Sequence, residues 1–251
     1  SYEFRMYPIA QMELAEMESP IETQQHLDER LVLGSYPELF SLTTHDEKTD
    51  YLHQLVRNCL LKDILAFENL RNATKIFDLL QLLAYQFGKE VSVEELGKNL
   101  GMSKNTIDKY LDLLVKVQII FKLRGYSKNL RKEIVKNSKY YFFDNGILNA
   151  LINDFKPISG RNDIGMLWEN YLLSERIKRN HYLKKNAEYY FWRTYDQQEI
   201  DLIEVTGTKL SAFEFKWKKA IKKAPIAFRE AYPKATFEII TQDNYLDFIV
   251  G

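Results

Sequence analysis

The chain has 251 residues, of which 45% are hydrophobic and 28% are charged, and its formal net charge is zero. This composition is ordinary for a globular protein long enough for two domains, and it excludes a general attraction of the whole molecule to nucleic acid. The single cysteine, Cys59, excludes an intrachain disulfide framework. No apolar run approaches the length that spans a bilayer, so we expect a cytoplasmic protein without a membrane partner.

Charge is distributed unevenly along the chain. Residues 1–60 hold 4 basic and 11 acidic side chains, whereas residues 89–143 hold 12 basic and 6 acidic ones. A basic segment attracts anionic polymers. The middle of the chain is therefore where we expect DNA to bind.

The first elements in chain order are a short strand and a helical region. Residues 4–9 read as one strand without a partner, and a lone strand is not stable. We therefore expect the sequence to begin inside a longer protein, with residues 1–45 as a remnant of a preceding domain and linker. From Asp46 to about Gln86, apolar residues recur at three- and four-residue steps, which is typical of helices.

Residues 91–143 predict a winged helix. Ser92 begins a short helix, and Ser103 begins a second helix over residues 104–117. Two strand candidates joined by a basic loop follow, so the order is helix, turn, helix and two-stranded wing. We therefore predict a helical and winged-helix domain over residues 46–150.

The predicted winged helix offers two groups of DNA contacts. The N-terminal part of the second helix usually faces the major groove, and basic side chains of the wing contact phosphates. The candidates on the helix are Lys104, Asn105, Thr106, Asp108 and Lys109, and those in the wing are Lys122, Arg124, Lys128, Arg131, Lys132, Lys136 and Lys139. The alternative is a protein-docking or spacer module whose lysines are merely solvated.

The pattern changes after a loop at residues 155–163, and residues 151–251 predict an α/β domain. A helix, a strand, a two-stranded hairpin, a helical stretch and a last strand are predicted at about 164–179, 188–194, 199–217, 219–231 and 236–241. The order α-β-β-β-α-β indicates a small mixed sheet with flanking helices. The fold class of the chain is therefore α/β (α+β).

The predicted hairpin carries a pattern with chemical meaning. Side chains alternate faces along a strand, so Phe213 and Phe215 point one way while Glu214 and Lys216 point the other. Asp201 on the neighbouring strand can reach this polar face. Two carboxylates form a hard-oxygen site for Mg²⁺ or Mn²⁺, and a lysine beside them can orient a water for phosphodiester hydrolysis. The alternative is a solvated Glu–Lys pair on a half-buried strand.

Glu169, on the helix before the first strand of the domain, is a candidate third acid that leans over the polar edge of the sheet. It is equally compatible with an exposed helix position paired with a nearby base. The four histidines are scattered without cysteine partners, which argues against a zinc site. The sequence contains no phosphate-cradling Gly-Lys-Ser/Thr loop, so we expect no ATP site in this chain.

The chain resembles the C-terminal part of a family of prokaryotic AAA-superfamily ATPases. In that family an ATPase domain precedes a winged helix and a domain of unknown function related to PD-(D/E)xK nucleases. The likeness is carried, in order, by residues 4–8, 34–38, 51–52, 60–64, 104–111, 139–146, 168–172, 191–194, 199–201 and 214–216.

The resemblance implies a restriction-endonuclease-like fold for residues 151–251. It implies that Asp201 and Glu214 hold the Mg²⁺ or Mn²⁺ ion, that Lys216 positions the attacking water, and that Glu169 completes the metal shell. Glu199 lies two residues before the aspartate, and Ile200 stands where the name of the nuclease motif has proline.

The resemblance also implies a nucleotide-binding core upstream of this chain, through which the parent ATPase would self-associate. The expected function is DNA binding joined to Mg²⁺-dependent phosphodiester hydrolysis. The alternative is a non-catalytic scaffold of the ATPase that binds nucleic acid or protein.

Overall fold

A computed structural model describes residues 5–60, 73–127, 137–196, 198–218 and 223–251. Its helices are α1 Gln11–Leu14, α2 Pro20–Leu33, α3 His45–Gln54, α4 Ala73–Tyr85, α5 Val93–Leu100, α6 Lys104–Lys116, α7 Asn145–Ile152, α8 Ile164–Tyr182, α9 Ile226–Ala231 and α10 Tyr245–Ile249. Its strands are β1 Glu90–Val91, β2 Ile120–Gly125, β3 Ser138–Phe142, β4 Glu188–Arg193, β5 Glu199–Thr206, β6 Lys209–Phe215 and β7 Thr236–Ile240. The mixed α/β class predicted from the sequence is confirmed.

The N-terminal residues do not form the predicted strand. Residues 5–9 run in an irregular extended conformation, and the Ile9 amide donates to the Ser35 carbonyl at 2.9 Å. The Tyr7 ring packs against Phe143 with ring centroids 5.0 Å apart. Met6 is 90% exposed, whereas Pro8 is buried and Tyr7 and Ile9 are half-buried. Among the described residues, no strand pairs with this segment.

Side-chain caps fix where the helices of the first half begin. Ser19 accepts from the Glu22 amide at 3.3 Å, while the Glu22 carboxylate accepts from the Ser19 amide at 2.8 Å. Such a reciprocal pair satisfies two amides that a helix start leaves without partners. The predicted helical region continues through α3, a π-helical turn at Leu55–Leu60, and α4. Residues 61–72 of that region lie outside the described residues.

Residues 90–142 show the predicted order of two helices and two antiparallel strands. Ser92 accepts from the Glu95 amide, Ser103 accepts from the Thr106 amide, and the turn between the helices passes through Gly101 at φ +62°. Strand β3 pairs with both β2 and the short β1. The basic loop between β2 and β3 falls largely on residues 128–136, which lie outside the described residues.

One seven-stranded sheet runs through both halves of the chain, in the order β1-β3-β2-β4-β5-β6-β7. Parallel pairing of β2 with β4, at Arg124–Tyr190 and Gly125–Phe191, joins the two halves. The hairpin of β5 and β6 turns at Gly207, where φ is +57°. The predicted α-β-β-β-α-β order is present, and α10 follows it as an additional helix. The predicted domain boundary near residue 151 is crossed by this sheet pairing and stays a prediction.

Apolar layers cover both faces of the sheet. Helix α8 packs on one face, where Trp168 and Leu172 share a core with Phe213 and Phe215. The helices of the first half cover the opposite face of β2 and β3, and α9 covers the opposite face of β4 to β6. Polar groups on the α8 side of the sheet are therefore enclosed between a helix and the sheet.

A cluster of buried amides connects α8 to the turn after β3. The Asn170 side chain accepts from the Phe142 amide at 2.8 Å and donates to the Phe142 carbonyl at 2.9 Å. It also donates to the side-chain oxygen of Asn145 at 2.7 Å. The Asn170 side chain thus makes the same two hydrogen bonds to Phe142 that the backbone of a neighbouring strand would make. These bonds connect α8 to the sheet.

The same cluster satisfies the C-terminal end of α2. Asn145 donates to the Leu31 carbonyl at 3.1 Å, and Asn149 donates to the Val32 carbonyl at 2.7 Å. These bonds replace the partners that the last carbonyls of a helix lack. We call the set Asp144, Asn145, Asn149 and Asn170 the amide joint.

Glycine is required where the chain passes closest to the amide joint. A Cβ on Gly146 would lie 2.0 Å from the Leu33 carbonyl oxygen, and a Cβ on Gly34 would lie 2.1 Å from the Asp144 carboxylate. That carboxylate also accepts from the Ser35 amide at 2.8 Å. The segments at 34–38 and 139–146, which carry part of the resemblance described above, are therefore in direct contact with each other.

Candidate functional site

Glu214 and Lys216 lie at the C-terminal end of β6. The Lys216 ammonium is 2.9 Å from Glu214 Oε1, and the side chain of Glu214 is only 4% exposed whereas that of Lys216 is 40% exposed. Phe213 and Phe215 belong to the core under α8, as the alternation of side chains predicts. The strand therefore presents one carboxylate and one ammonium together on its polar side.

A β-bulge directs Asp201 toward β6. Tyr190 pairs with Ile203 but Trp192 pairs with Ile200, so β5 contains one extra residue between these pairs. The Asp201 carboxylate accepts from the Phe215 amide at 2.8 Å, beyond the last regular pair of β5 with β6. Bulges re-aim side chains and are frequent beside active sites. Asp201 is consequently held at the end of β6, beside Glu214.

Glu169 reaches the same region from α8. Its Oε1 accepts a hydrogen bond from the Tyr141 hydroxyl at 2.5 Å. A Cβ on Gly88 would lie 3.8 Å from that oxygen, so the segment before β1 also approaches the carboxylate. Of the two interpretations of Glu169, the structure supports a position over the sheet rather than an exposed helix surface.

The three carboxylates interact electrostatically. Burial raises the pKa of Asp201 well above its ordinary value, and the negative charges of Glu169 and Glu214 raise it further. Burial also raises the pKa of Glu169, although the positive charge of Lys139 and the Tyr141 hydrogen bond oppose the shift. The fold thus brings the charges of Glu169 and Glu214 close enough to Asp201 to disfavour its ionisation.

Lys216 is held in its charged form. Burial lowers its pKa, but the hydrogen bond to Glu214 and the charges of Asp201, Glu214 and Glu169 outweigh burial, and the pKa is raised. A protonated lysine donates hydrogen bonds and accepts none. Lys216 is therefore equipped to orient a water or to offset phosphate charge.

Lys139 lies in this site and not on the wing. Its position in the sequence predicted a phosphate contact, but its side chain is 5% exposed and its ammonium donates to Glu199 Oε1. The group also lies 5.2 Å from the centroid of the Phe191 ring. The expected phosphate contact of Lys139 is wrong, because both faces of β3 are buried from Lys139 to Phe142.

The sequence held a usable signal that Lys139 is buried and does not lie on the surface of the wing. Lys139, Tyr141 and Phe143 share one face of the strand, so a buried tyrosine and phenylalanine predict a buried lysine as well. A buried lysine needs a charged partner.

We call the set Glu169, Glu199, Asp201, Glu214, Lys139 and Lys216 the acidic site.

The carboxylate oxygens of the acidic site are the type of ligand that a small hard cation prefers. In the described part of the chain, no group of three or more His, Cys, Asp or Glu side chains lies close enough to hold a metal ion. Mg²⁺ is commonly bound through one or two carboxylates, with water and substrate phosphate as the other ligands. Asp201 and Glu214 are the residues that would hold such an ion, with Glu169 as the third acid.

The predicted DNA-contacting residues divide into two groups. Lys104, Asn105 and Lys109 are exposed on α6, and Lys122 and Arg124 are exposed on β2. Lys104 forms an ion pair with Glu94 at 2.5 Å in which both side chains are more than half exposed, a kind of pair that water weakens strongly. The remaining wing candidates, Lys128, Arg131, Lys132 and Lys136, lie outside the described residues.

Acidic side chains lie near the basic residues of β2. The charges of Asp108 and Asp112 raise the pKa of Tyr140, which burial raises most, whereas the charge of Arg124 lowers it. The Lys122 ammonium lies 5.8 Å from the ring of the same tyrosine. The described part of this surface is therefore mixed in charge.

Among the described helices, every one is either too short or too polar to span a lipid bilayer.

Comparison with known proteins gives two family matches. Residues 24–157, more than half of the chain, match a family described as "Domain of unknown function (DUF8612)". Residues 164–247 match a second one, described as "Domain of unknown function (DUF4143)". No solved structure matches the chain.

Similar proteins occur in bacteria and archaea and are longer. An uncharacterized protein of Mycobacterium tuberculosis is 26% identical over 69% of this chain and 39% of its own length. One of Methanocaldococcus jannaschii is 23% identical over 72% of the chain and 40% of its length, and one of Haemophilus influenzae is 24% identical over 80% and 49%. The chain thus spans two fifths to one half of these relatives. By the match over residues 24–157, it belongs to the family described as domain of unknown function DUF8612.

Proposed function

We propose that the chain is a DNA-binding, Mg²⁺-dependent phosphodiester hydrolase module of a longer ATPase. The observation that carries the proposal is the meeting of Glu169, Asp201, Glu214 and Lys216, which are distant in sequence, beside a bulged strand. Three carboxylates with mutually unfavourable charges reduce stability, and such groups are retained mostly at functional sites.

Each residue has a defined task in this proposal. Asp201 is aimed by the bulge and by the Phe215 amide, and Glu169 is held by Tyr141. Lys216 donates a hydrogen bond to the attacking water or to a phosphate oxygen. A bound cation would supply charge stabilisation for the phosphoryl group and a more acidic water. Water then adds to phosphorus and releases a proton to solvent, while the bond to the leaving oxygen breaks and that oxygen takes up a proton from solvent.

The test is divalent-dependent cleavage of labelled single- and double-stranded DNA during titration with Mn²⁺ or Mg²⁺. We expect cleavage by the unchanged chain and a loss of about 10³-fold in Asp201→Ala, the scale of removing one group that stabilises a transition state. Glu188→Gln is the matched control, because Glu188 is an exposed acid on the same sheet. Cleavage that persists in purified Asp201→Ala protein contradicts the assignment of the site.

A second candidate is a non-catalytic scaffold, and one observation favours it. Among the described residues no three ligands are already arranged around a cation position, and one oxygen of each carboxylate is engaged by a protein donor. DNA binding without cleavage at any concentration of Mn²⁺ would select this candidate.

The wider context of the module is also part of the proposal. Domains of the DUF4143 type are commonly found with AAA ATPases. The relatives are about twice as long as the matched segment, which leaves room for a nucleotide-binding core in them. DNA would bind through the basic segment around α6 and the wing, because phosphate contacts need exposed lysine and arginine side chains.

A further inference from the structure

The acidic site is built from both family segments. Glu169, Glu199, Asp201 and Glu214 come from the segment matched over residues 164–247, whereas Lys139 comes from the segment matched over residues 24–157. A second ion pair crosses the same boundary, since Arg193 of β4 lies 2.9 Å from Glu90 of β1. The first segment therefore contributes a charged group directly to the chemistry proposed for the second.

The position of Lys139 is fixed by its surroundings. The residue is 4% exposed, its ammonium bonds to Glu199, and it lies over the ring of Phe191. The charges of Glu169 and Asp201 also favour its protonated form, against burial, so its pKa is raised. A buried ammonium with these neighbours is a permanent positive charge inside the site.

The net charge of the acidic site matches that of one divalent cation. When all four carboxylates are ionised, as cation binding requires of its ligands, they and the two ammonium groups of Lys139 and Lys216 give a formal charge of −2. One divalent cation neutralises this charge, and each ammonium opposes its entry by repulsion. Lys216 is 40% exposed and can move toward a substrate, whereas Lys139 is enclosed and cannot withdraw.

We infer that Lys139 is a positioning residue that holds Glu199 and limits the affinity of the acidic site for a divalent cation. The inference rests on the proposed function, because it assigns a regulator to the same metal site. It also explains why a residue of the wing strand points away from the DNA-binding surface. A weakly held ion is retained only when substrate phosphate adds its own oxygen ligands.

The experiment measures Mn²⁺ affinity by the electron paramagnetic resonance signal of free Mn²⁺, which needs no cleavage. We expect Lys139→Met to bind Mn²⁺ about tenfold more tightly than the unchanged chain, because a buried repulsive charge is lost. Lys139→Arg should bind like the unchanged chain, since it keeps the charge. Lys209→Met is the matched control, because Lys209 is an exposed lysine at the start of β6, in the same sheet. Damage to the fold would weaken binding and could not tighten it.

A second comparison protects the test against poor folding of Lys139→Met. Removing both members of a buried ion pair is often tolerated where removing one is not. We therefore expect the double variant Lys139→Met with Glu199→Gln to bind Mn²⁺ more tightly than Glu199→Gln alone. Equal or weaker binding in both comparisons overturns the inference while the proposed function stands. Absence of Mn²⁺ binding by the unchanged chain overturns the metal site and the inference together.

Discussion

Two polar regions meet on α8, and adjacent residues of that helix belong to each. Asn170 joins the amide joint, while Glu169 joins the acidic site. In the amide joint, the carboxamide of Asn170 makes three short hydrogen bonds, and no like charges are brought together. In the acidic site, burial and the negative charges of Glu169 and Glu214 raise the pKa of Asp201, and burial raises the pKa of Glu169.

The hydrogen-bonded side chains of the amide joint stabilise the fold, whereas the carboxylates of the acidic site destabilise it. A fully bonded buried network contributes stability and fixes one packing arrangement. Crowded carboxylates cost stability, which is the usual sign of a group kept for chemistry. The amide joint is therefore interpreted as structural although it carries several of the residues on which the resemblance rests.

The largest expected change in stability comes from placing a carboxylate in the amide joint at Asn170. Asn170→Asp should lower the free energy of unfolding by about 4 kcal/mol at pH 7, because a carboxylate would face the Phe142 carbonyl without donors. Asn170→Ala should lower it by about 3 kcal/mol through lost hydrogen bonds alone. Urea unfolding followed by circular dichroism measures both.

The control for these variants is Asn162→Ala, because Asn162 is exposed in the loop before α8. It should change the free energy of unfolding by less than about 0.5 kcal/mol. Asn170→Asp should also recover stability as the pH falls through the raised pKa of the buried carboxyl group toward the ordinary carboxyl range, since protonation restores a donor. Equal stability of Asn170→Asp and the unchanged chain would remove the distinction between the two regions.

The second prediction concerns the acidic site, where we expect a substitution that removes a charge to raise the free energy of unfolding. The pKa values of Asp201 and Glu169 are raised in the folded state, so the folded chain binds more protons than the unfolded chain above about pH 4. Stability from these groups is therefore present at low pH and is lost as the pH rises through the raised pKa values. Asp201→Asn removes one of the like charges and should raise the free energy of unfolding at pH 8 by about 1 kcal/mol.

Thermal unfolding between pH 5 and pH 8 checks this prediction. A gain of about 1 kcal/mol corresponds to about 3 °C for a chain of this size. The melting temperature of Asp201→Asn should fall less steeply with pH than that of the unchanged chain, and Glu188→Gln should follow the unchanged chain. A steeper fall in Asp201→Asn would contradict the electrostatic account of the site.

The smallest effect is expected on the exposed surface of β2, which belongs to neither region. If DNA binds there, Lys122→Ala and Arg124→Ala should each weaken binding similarly for all sequences. The slope of log affinity against log salt should become shallower by about one unit for each residue. Fluorescence anisotropy at several salt concentrations measures this slope. Neither change should alter stability or Mn²⁺ affinity, and a change in either would connect this surface to the acidic site.

Much of the fold was predictable because its signals are local. Ser92 and Ser103 indicate the starts of α5 and α6, and Gly207 indicates the hairpin turn. Alternation along β6 correctly separates the aromatic core residues from Glu214 and Lys216. The first strand was predicted wrongly, because a short apolar run does not report whether a neighbouring strand is available, and Met6 within this run is exposed.

The lengths and kinds of most elements, the polar face of the hairpin, and the four charged residues proposed for the site follow from the order of residues alone. The pairing of β2 with β4, the bulge that aims Asp201, and the entry of Lys139 into the acidic site are visible only in the folded chain. Helix caps, turns and side-chain alternation depend on residues a few positions apart. Strand order, register and the pairing of buried charges depend on contacts between residues that are distant in the chain.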